Sequence, residues 1–263
     1  MQGASLLAFL ISASGTASGM NIKFLLLLFS GLLLNATCTL AGIVVNSTRV
    51  IYPEGEREVT ARLENQNQHP SLIQSWIDNG KKDEEIKAIN VPFILLPPVA
   101  RVEPQQGQTL RITYVGEAST LPKDRESVFW LNILDIPPRA KAAAGNPLQM
   151  AIRTRIKLFF RPEALKGESA AEAAEKLGWR RIESKEGVTL EANNRSPFYV
   201  SIASIETSTA PKPANKLASI KGDMIAPFSH ARFTFPASLK TLSQFKYHYI
   251  NDYGAVVTME REI

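Results

Sequence analysis

Leu148-Gln149-Met150-Ala151-Ile152-Arg153-Thr154-Arg155-Ile156-Lys157-Leu158-Phe159-Phe160 is the longest β-type segment of the chain, and the architecture turns on it. Leu148, Met150 and Ile152 alternate with Gln149, Ala151 and Arg153, so they share one face of a strand. Period alone makes that face most simply part of the protein's own core. Upstream lies a second long run, Ser127-Val128-Phe129-Trp130-Leu131-Asn132-Ile133-Leu134-Asp135-Ile136, closed by Pro137-Pro138. Shorter strands are expected at residues 58–63, 71–78, 93–96 (stopped by Pro97-Pro98) and 109–115. Downstream the composition changes. Residues 167–176 are rich in Ala and Glu and form the one convincing helix, and Pro211 and Pro213 mark a loop. Strand-like stretches resume at 188–192, 198–205, 231–235 and 245–251. Many short strands at such spacing indicate sandwiches or barrels. The expected fold class is all-β, with two sandwiches of roughly 100 residues each, the usual size of an immunoglobulin-like domain.

Bulk composition agrees with a globular protein: 44% hydrophobic and 21% charged residues, with a formal net charge of +5 over 263 residues. The positive charge is scattered, and no basic tract points to nucleic acid. Residues 21–41 carry one Lys, a Leu-rich apolar run and a small residue at the end, the pattern of a secretory leader. Cleavage is expected after Ala41, which leaves 263 − 41 = 222 residues. Residues 1–41 are therefore read as leader and upstream extension, and Met1 and Met20 both stand open as the start. The apolar run is short for a permanent membrane helix. Cys38, the only cysteine, falls in the leader, so the mature chain has no disulfide although an exported compartment permits one.

Enzyme chemistry finds no foothold. His69, His230 and His248 are far apart with no paired metal-ligand spacing. There is no Gly-x-Ser-x-Gly elbow, no phosphate loop and no mature thiol. No catalytic residue, metal or cofactor is assigned.

Residues 121–138, from Leu121-Pro122-Lys123-Asp124-Arg125-Glu126 through Pro137-Pro138, are more specific. With Ser47-Thr48-Arg49, the run from Leu148 to Pro162, Asn193-Asn194-Arg195-Ser196-Pro197-Phe198-Tyr199-Val200 and Tyr249-Ile250-Asn251-Asp252-Tyr253-Gly254, they resemble the PapD-like periplasmic chaperones of the chaperone–usher pilus pathway. The likeness covers about residues 42–263. It implies an N-terminal immunoglobulin-like domain over 42–162, a linker and second such domain over 163–263, and a cleft between two domains set at an angle. Two departures stand out: a cysteine pair found in some relatives is missing from the second domain, and the chain ends soon after Gly254, so a short last strand is expected. The short link from 136 to 148 resembles the pilus-forming branch with a short F1–G1 loop.

The resemblance also implies roles. Leu148, Met150 and Ile152 would be an exposed apolar row lent to a pilus subunit that lacks a strand. Arg49 and Lys157, read alone as solvated cations, would lie in the cleft and bind the subunit's C-terminal carboxylate. Glu126, Arg161 and Asp252 would form an ion network joining the domains, and Pro70 and Leu72 would face the outer-membrane usher. The implied partners are pilus subunits and the usher, the location is the periplasm, and no cofactor or nucleotide is needed. A pilus subunit is a rival reading, but Gly42-Ile43-Val44-Val45-Asn46 is short for a donor extension and the mature chain has no cysteine. A general holdase is another, and the Arg49/Lys157 pair argues instead for clients with a suitably placed C-terminus.

Overall fold

A computed structural model describes residues 42–116, 121–138, 150–184, 187–208, 217–236, 242 and 244–263. In its first half the strands are β1 (Ile43–Val45), β2 (Arg49–Pro53), β3 (Val59–Asn65), β4 (Ser71–Asp78), β5 (Phe93–Leu96), β6 (Val99–Val102), β7 (Gly107–Tyr114), β8 (Ser127–Ile136) and β9 (Ile152–Arg161). They form a four-stranded sheet, β1-β3-β7-β5, facing a five-stranded sheet, β2-β9-β8-β4-β6. Every pair is antiparallel except β2 with β9, which run parallel. Alternation explains the layering: one side chain in two points inward, and Tyr52, Leu63, Ile73, Leu110, Ile112, Leu131, Ile133, Leu158 and Phe160 fill the space between the sheets.

The second half begins with helix α1 (Ala170–Glu175), capped by the Ser169 hydroxyl, which accepts from the Glu172 amide. Ala173 and Ala174 turn inward, and the Tyr247 hydroxyl donates to the Ala174 carbonyl at 2.8 Å. Strands β10 (Gly178–Ser184), β11 (Gly187–Asn194) and β15 (Ser229–Thr234) make one sheet. The other holds β12 (Val200–Ser208), β13 (Leu217–Lys221), β16 (Gln244–Ile250) and β17 (Val256–Glu262) in the order β13-β12-β16-β17, with β14 (Met224–Ile225) also on β12. A separate core, with Leu190, Phe198, Ile205, Phe235 and Tyr247 fully buried, lies between them, and Leu165 ahead of the helix belongs to it. The chain is thus nearly all-β, in two sandwiches with independent cores that belong to one compact unit.

Strands β4, β5 and β8 fall where the sequence places them, and β9 shares residues 152–160 with the expected 148–160 segment. The expectation of a short last strand is not met: β17 runs seven residues and pairs along its length with β16, because Val257 and Met259 still have core to pack against.

Candidate functional site

Strand β9 carries two faces with different fates. Its even-numbered residues Ile156, Leu158 and Phe160 lie in the first core, while Ile152 at its start is 56% exposed and Met150, two residues ahead of the strand, is 64% exposed. The sandwich ends before the row does. Ile152 pairs with Asp135, next to the end of β8, and its side chain and that of Met150 stand largely open to solvent. Leu148, the third residue of the expected row, lies outside the described residues, as does most of the link from 136 to 148.

The odd-numbered face of β9 is cationic: Arg153, Arg155, Lys157 and Arg161. Arg49 and Lys157, 108 positions apart in sequence, are direct register partners across the parallel β2–β9 pair. Arg49 is buried. Its Nη1 donates to the Ile250 carbonyl at 2.9 Å, its Nε has no partner, and its guanidinium lies 5.7 Å from the Phe159 ring centre. Lys157 Nζ donates to the Ser201 hydroxyl at 3.2 Å and sits 5.8 Å from the Trp130 ring centre. Ile250 and Ser201 belong to the second sandwich, so both cations reach across the seam. Among the described residues neither has a carboxylate within ion-pair distance, unlike Arg161 beside them. Burial, and then the neighbouring Arg49 charge, lower the Lys157 pKa from 10.5 to about 8, against a weaker opposing pull from Asp223. Burial also lowers that of Arg49, with Asp252 and Glu126 opposing. Two desolvated cations side by side with no counter-ion are a ready site for one small anion.

Arg161 is fully engaged. Its Nη2 lies 2.7 Å from Glu126 Oε1, which also accepts from Nε at 2.9 Å. Nη1 and Nη2 grip the two Asp252 oxygens at 2.9 and 3.2 Å. The other Glu126 oxygen accepts the Tyr199 amide at 2.9 Å, and the Glu126 amide donates to the Pro197 carbonyl. Burial pushes the Glu126 carboxyl pKa up, and Arg161 works against that. The three residues named from the sequence therefore meet at the seam between the sandwiches. Arg125 adds a further crossing, stacked 5.0 Å from the Phe228 ring centre, and Gly254 (φ +82°) lies so close to Thr48 that a Cβ would meet its hydroxyl.

A second network was not anticipated. Asp78, fully buried on the outer face of β4, accepts from Arg155 at 2.5 Å, from Asn132 at 2.8 Å and from the Gly80 amide at 2.7 Å. Asn132 in turn accepts both Arg153 Nε and Nη2, and the two arginines stack on Trp76 (4.9 Å) and Trp130 (4.2 Å). No local signal in the sequence marks it, since Ser71, Gln74, Ser75 and Asp135 interrupt the same two strands just as Asp78 and Asn132 do. Pro70 and Leu72 lie at the other end of this sheet, in a shallow hollow shared with Arg101, Ile136, Pro137 and Pro138.

Two immunoglobulin-like sandwiches joined through an ion network, with an uncovered apolar row and an unneutralised cation pair, define a binding module. Comparison with known proteins gives its family. The profile for "Pili and flagellar-assembly chaperone, PapD N-terminal domain" matches residues 42–166, and that for "Pili assembly chaperone PapD, C-terminal domain" matches 172–261. The chaperone protein HifB of Haemophilus influenzae is 40% identical over 240 residues, 89% of this chain and 94% of HifB. The crystal structure of the Pseudomonas aeruginosa CupB2 chaperone matches with a TM-score of 0.69 at 39% identity, covering 84% of this chain and all of that one. The Salmonella enterica SafB chaperone, solved in complex with the SafA pilin, matches with a TM-score of 0.68 at 26% identity, covering 86% and 99%. The chain belongs to the PapD-like family of pilus-assembly chaperones.

Proposed function

We propose that this chain is a periplasmic chaperone that captures pilus subunits by donor-strand complementation and delivers them to an outer-membrane usher. One observation carries the reading: Arg49 on β2 and Lys157 on β9 stand in register with no counter-ion among the described residues, and β9 is the strand whose apolar row runs off the end of its own core. A chain terminus is the common source of a carboxylate that can enter such a seam, and Arg offers it a planar fork while Lys offers a point charge. Anchoring the terminus sets the register in which the subunit strand lies along β9.

Main-chain hydrogen bonds along the strand edge then supply grip, and alternate side chains fill pockets in the partner, the established mode of chaperone–pilin recognition. Leu148, Met150 and Ile152 each contribute roughly 1.5–3 kcal/mol on moving from water into the subunit groove. Glu126, Arg161 and Asp252 hold the two sandwiches so that both halves of the cation site stay together. The hollow around Pro70 and Leu72 faces the usher, where the next subunit's extension replaces β9 and the better-packed fibre, without nucleotide, drives release.

The test is co-purification with a cognate subunit from periplasmic extracts. Lys157→Ala and Arg49→Ala lose the subunit, at a cost of about 2–5 kcal/mol in binding, while circular dichroism stays unchanged. Undiminished capture by both variants removes the anchor from the mechanism.

A further inference from the structure

Asp135 is the anomaly of the first sandwich. On β8 it follows Phe129, Leu131 and Ile133 on the inward face, and it is only 8% exposed. One carboxylate oxygen, Oδ2, accepts the Ile43 amide at a long 3.3 Å. The other, Oδ1, is buried and has no hydrogen-bond partner. A carboxylate in that position is costly unless a charge answers it. The element that approaches it is the start of β1. A Cβ on Gly42 would stand 3.0 Å from Oδ2, so the Gly42 main chain passes directly over the carboxylate, held there by the Gln66 amide donating to the Gly42 carbonyl. Gly42 is also the residue at which the family profile begins and the first residue after the leader boundary expected from the sequence.

We propose that leader removal at the Ala41–Gly42 bond supplies the missing partner: the new α-ammonium of Gly42 pairs with Asp135 and locks the end of the first sandwich beneath the donor row. The inference rests on the export reading above. Hydrolysis by a leader peptidase breaks the Ala41 carbonyl C–N bond. The acyl carbon takes the hydroxyl of water, and the glycine nitrogen takes protons to become –NH3+, a cation one bond from a Cα already against the carboxylate. Before cleavage the same nitrogen is an uncharged amide with one donor. Because Asp135 is the register partner of Ile152, the pair would tie β1, β8 and the root of the donor strand at one point, and only in the processed chain.

Two measurements separate this inference from the reading it rests on. Intact mass of the protein from a periplasmic extract gives the native first residue, and a start other than Gly42 overturns the boundary and the proposal together. With Gly42 as the start, chains released with Gly42 free, with Gly42 acetylated and with Ala41 retained are compared by thermal unfolding, in the wild type and in Asp135→Asn. The expected result is a midpoint several degrees lower for both blocked forms in the wild type and no such difference in Asp135→Asn. Acylation of the free Gly42 amine is expected to be at least about fivefold slower in the wild type than in the variant, since an ion-paired ammonium is held protonated. Equal midpoints for free and blocked forms, or equal acylation in wild type and variant, overturn the ion pair and leave the subunit-capture reading standing.

Discussion

Lys157 gains little from its place in the free protein. Its ammonium is held in a partly dry seam beside Arg49, and its pKa of about 8 against an ordinary 10.5 records that cost. The sign follows from linkage. A base whose folded pKa is lowered binds fewer protons folded than unfolded between about 8 and 10.5, so stability rises with pH across that window. Below it the charged lysine is a standing penalty. Lys157→Met should therefore stabilise the free chaperone at pH 7 by about 1–2 kcal/mol, after allowance for solvent screening, while abolishing capture. Binding of a carboxylate should have the opposite pH sign: subunit affinity falls as pH rises through about 8 in the wild type and stays flat in Lys157→Arg, whose guanidinium does not titrate there. Thermal unfolding and a titration series from pH 7 to 9.5 check both. A destabilised Lys157→Met, or a wild-type affinity indifferent to pH, would speak against an unneutralised anion site. None of this was legible from the residues alone. Arg49 and Lys157 read as ordinary surface cations, the family resemblance alone put them together, and their parallel register is a long-range fact with no local signature.

At the scale of the element, β9 shows what periodicity can tell and where it stops. Alternation groups Ile152 on one face with Ile156, Leu158 and Phe160, while Met150 lies ahead of the strand, and the pattern says nothing about where the facing sheet ends. The plain expectation of a wholly buried face holds for one half of the strand and fails for the other. The two halves should respond oppositely to substitution. Met150→Asp alters an exposed side chain, so stability should move by less than about 0.5 kcal/mol while capture is lost. Ile156→Ala removes core atoms and should cost about 2–5 kcal/mol, with capture falling only as far as the folded fraction does. Denaturant titration beside a subunit pull-down distinguishes them. Similar stability losses for both would mean that the row is interior along its whole length. Strand β2, short and ended by Pro53, went unmarked in the sequence because five mixed residues give too little pattern. So did β10, where Trp179 and Ile182 stand among arginines and a glutamate.

The whole molecule depends on how two independent cores are joined. The seam is polar: Arg161 between Glu126 and Asp252, Arg49 on the Ile250 carbonyl, Lys157 on Ser201 and Arg125 on Phe228. Removing one member leaves buried charge uncompensated, so Glu126→Ala should cost about 3–5 kcal/mol and split unfolding into two calorimetric transitions as the sandwiches uncouple. A single transition at the wild-type midpoint would show that the network does not couple them. The same seam holds both cations in place, so loss of capture should accompany the split. Sequence patterning made the two sandwiches legible, because strand alternation and proline stops are local. The seam was legible only through motif resemblance, and the Asp78–Asn132–Arg153–Arg155 network on the outer face not at all, since its members lie on three strands that only the folded sheet brings side by side.

The central claim is that the end of β9 is an open edge in the free chaperone and a paired strand in the complex. Amide hydrogen exchange over residues 150–154, with and without a stoichiometric bound subunit, tests it most directly. Those amides of the segment that point away from β8 should exchange rapidly in the free protein and slow at least about a hundredfold in the complex, as they and the Met150 and Ile152 side chains enter the partner, while the amides already bonded to β8 change little. Unchanged exchange at the amides pointing away from β8, with subunit demonstrably bound, would contradict it.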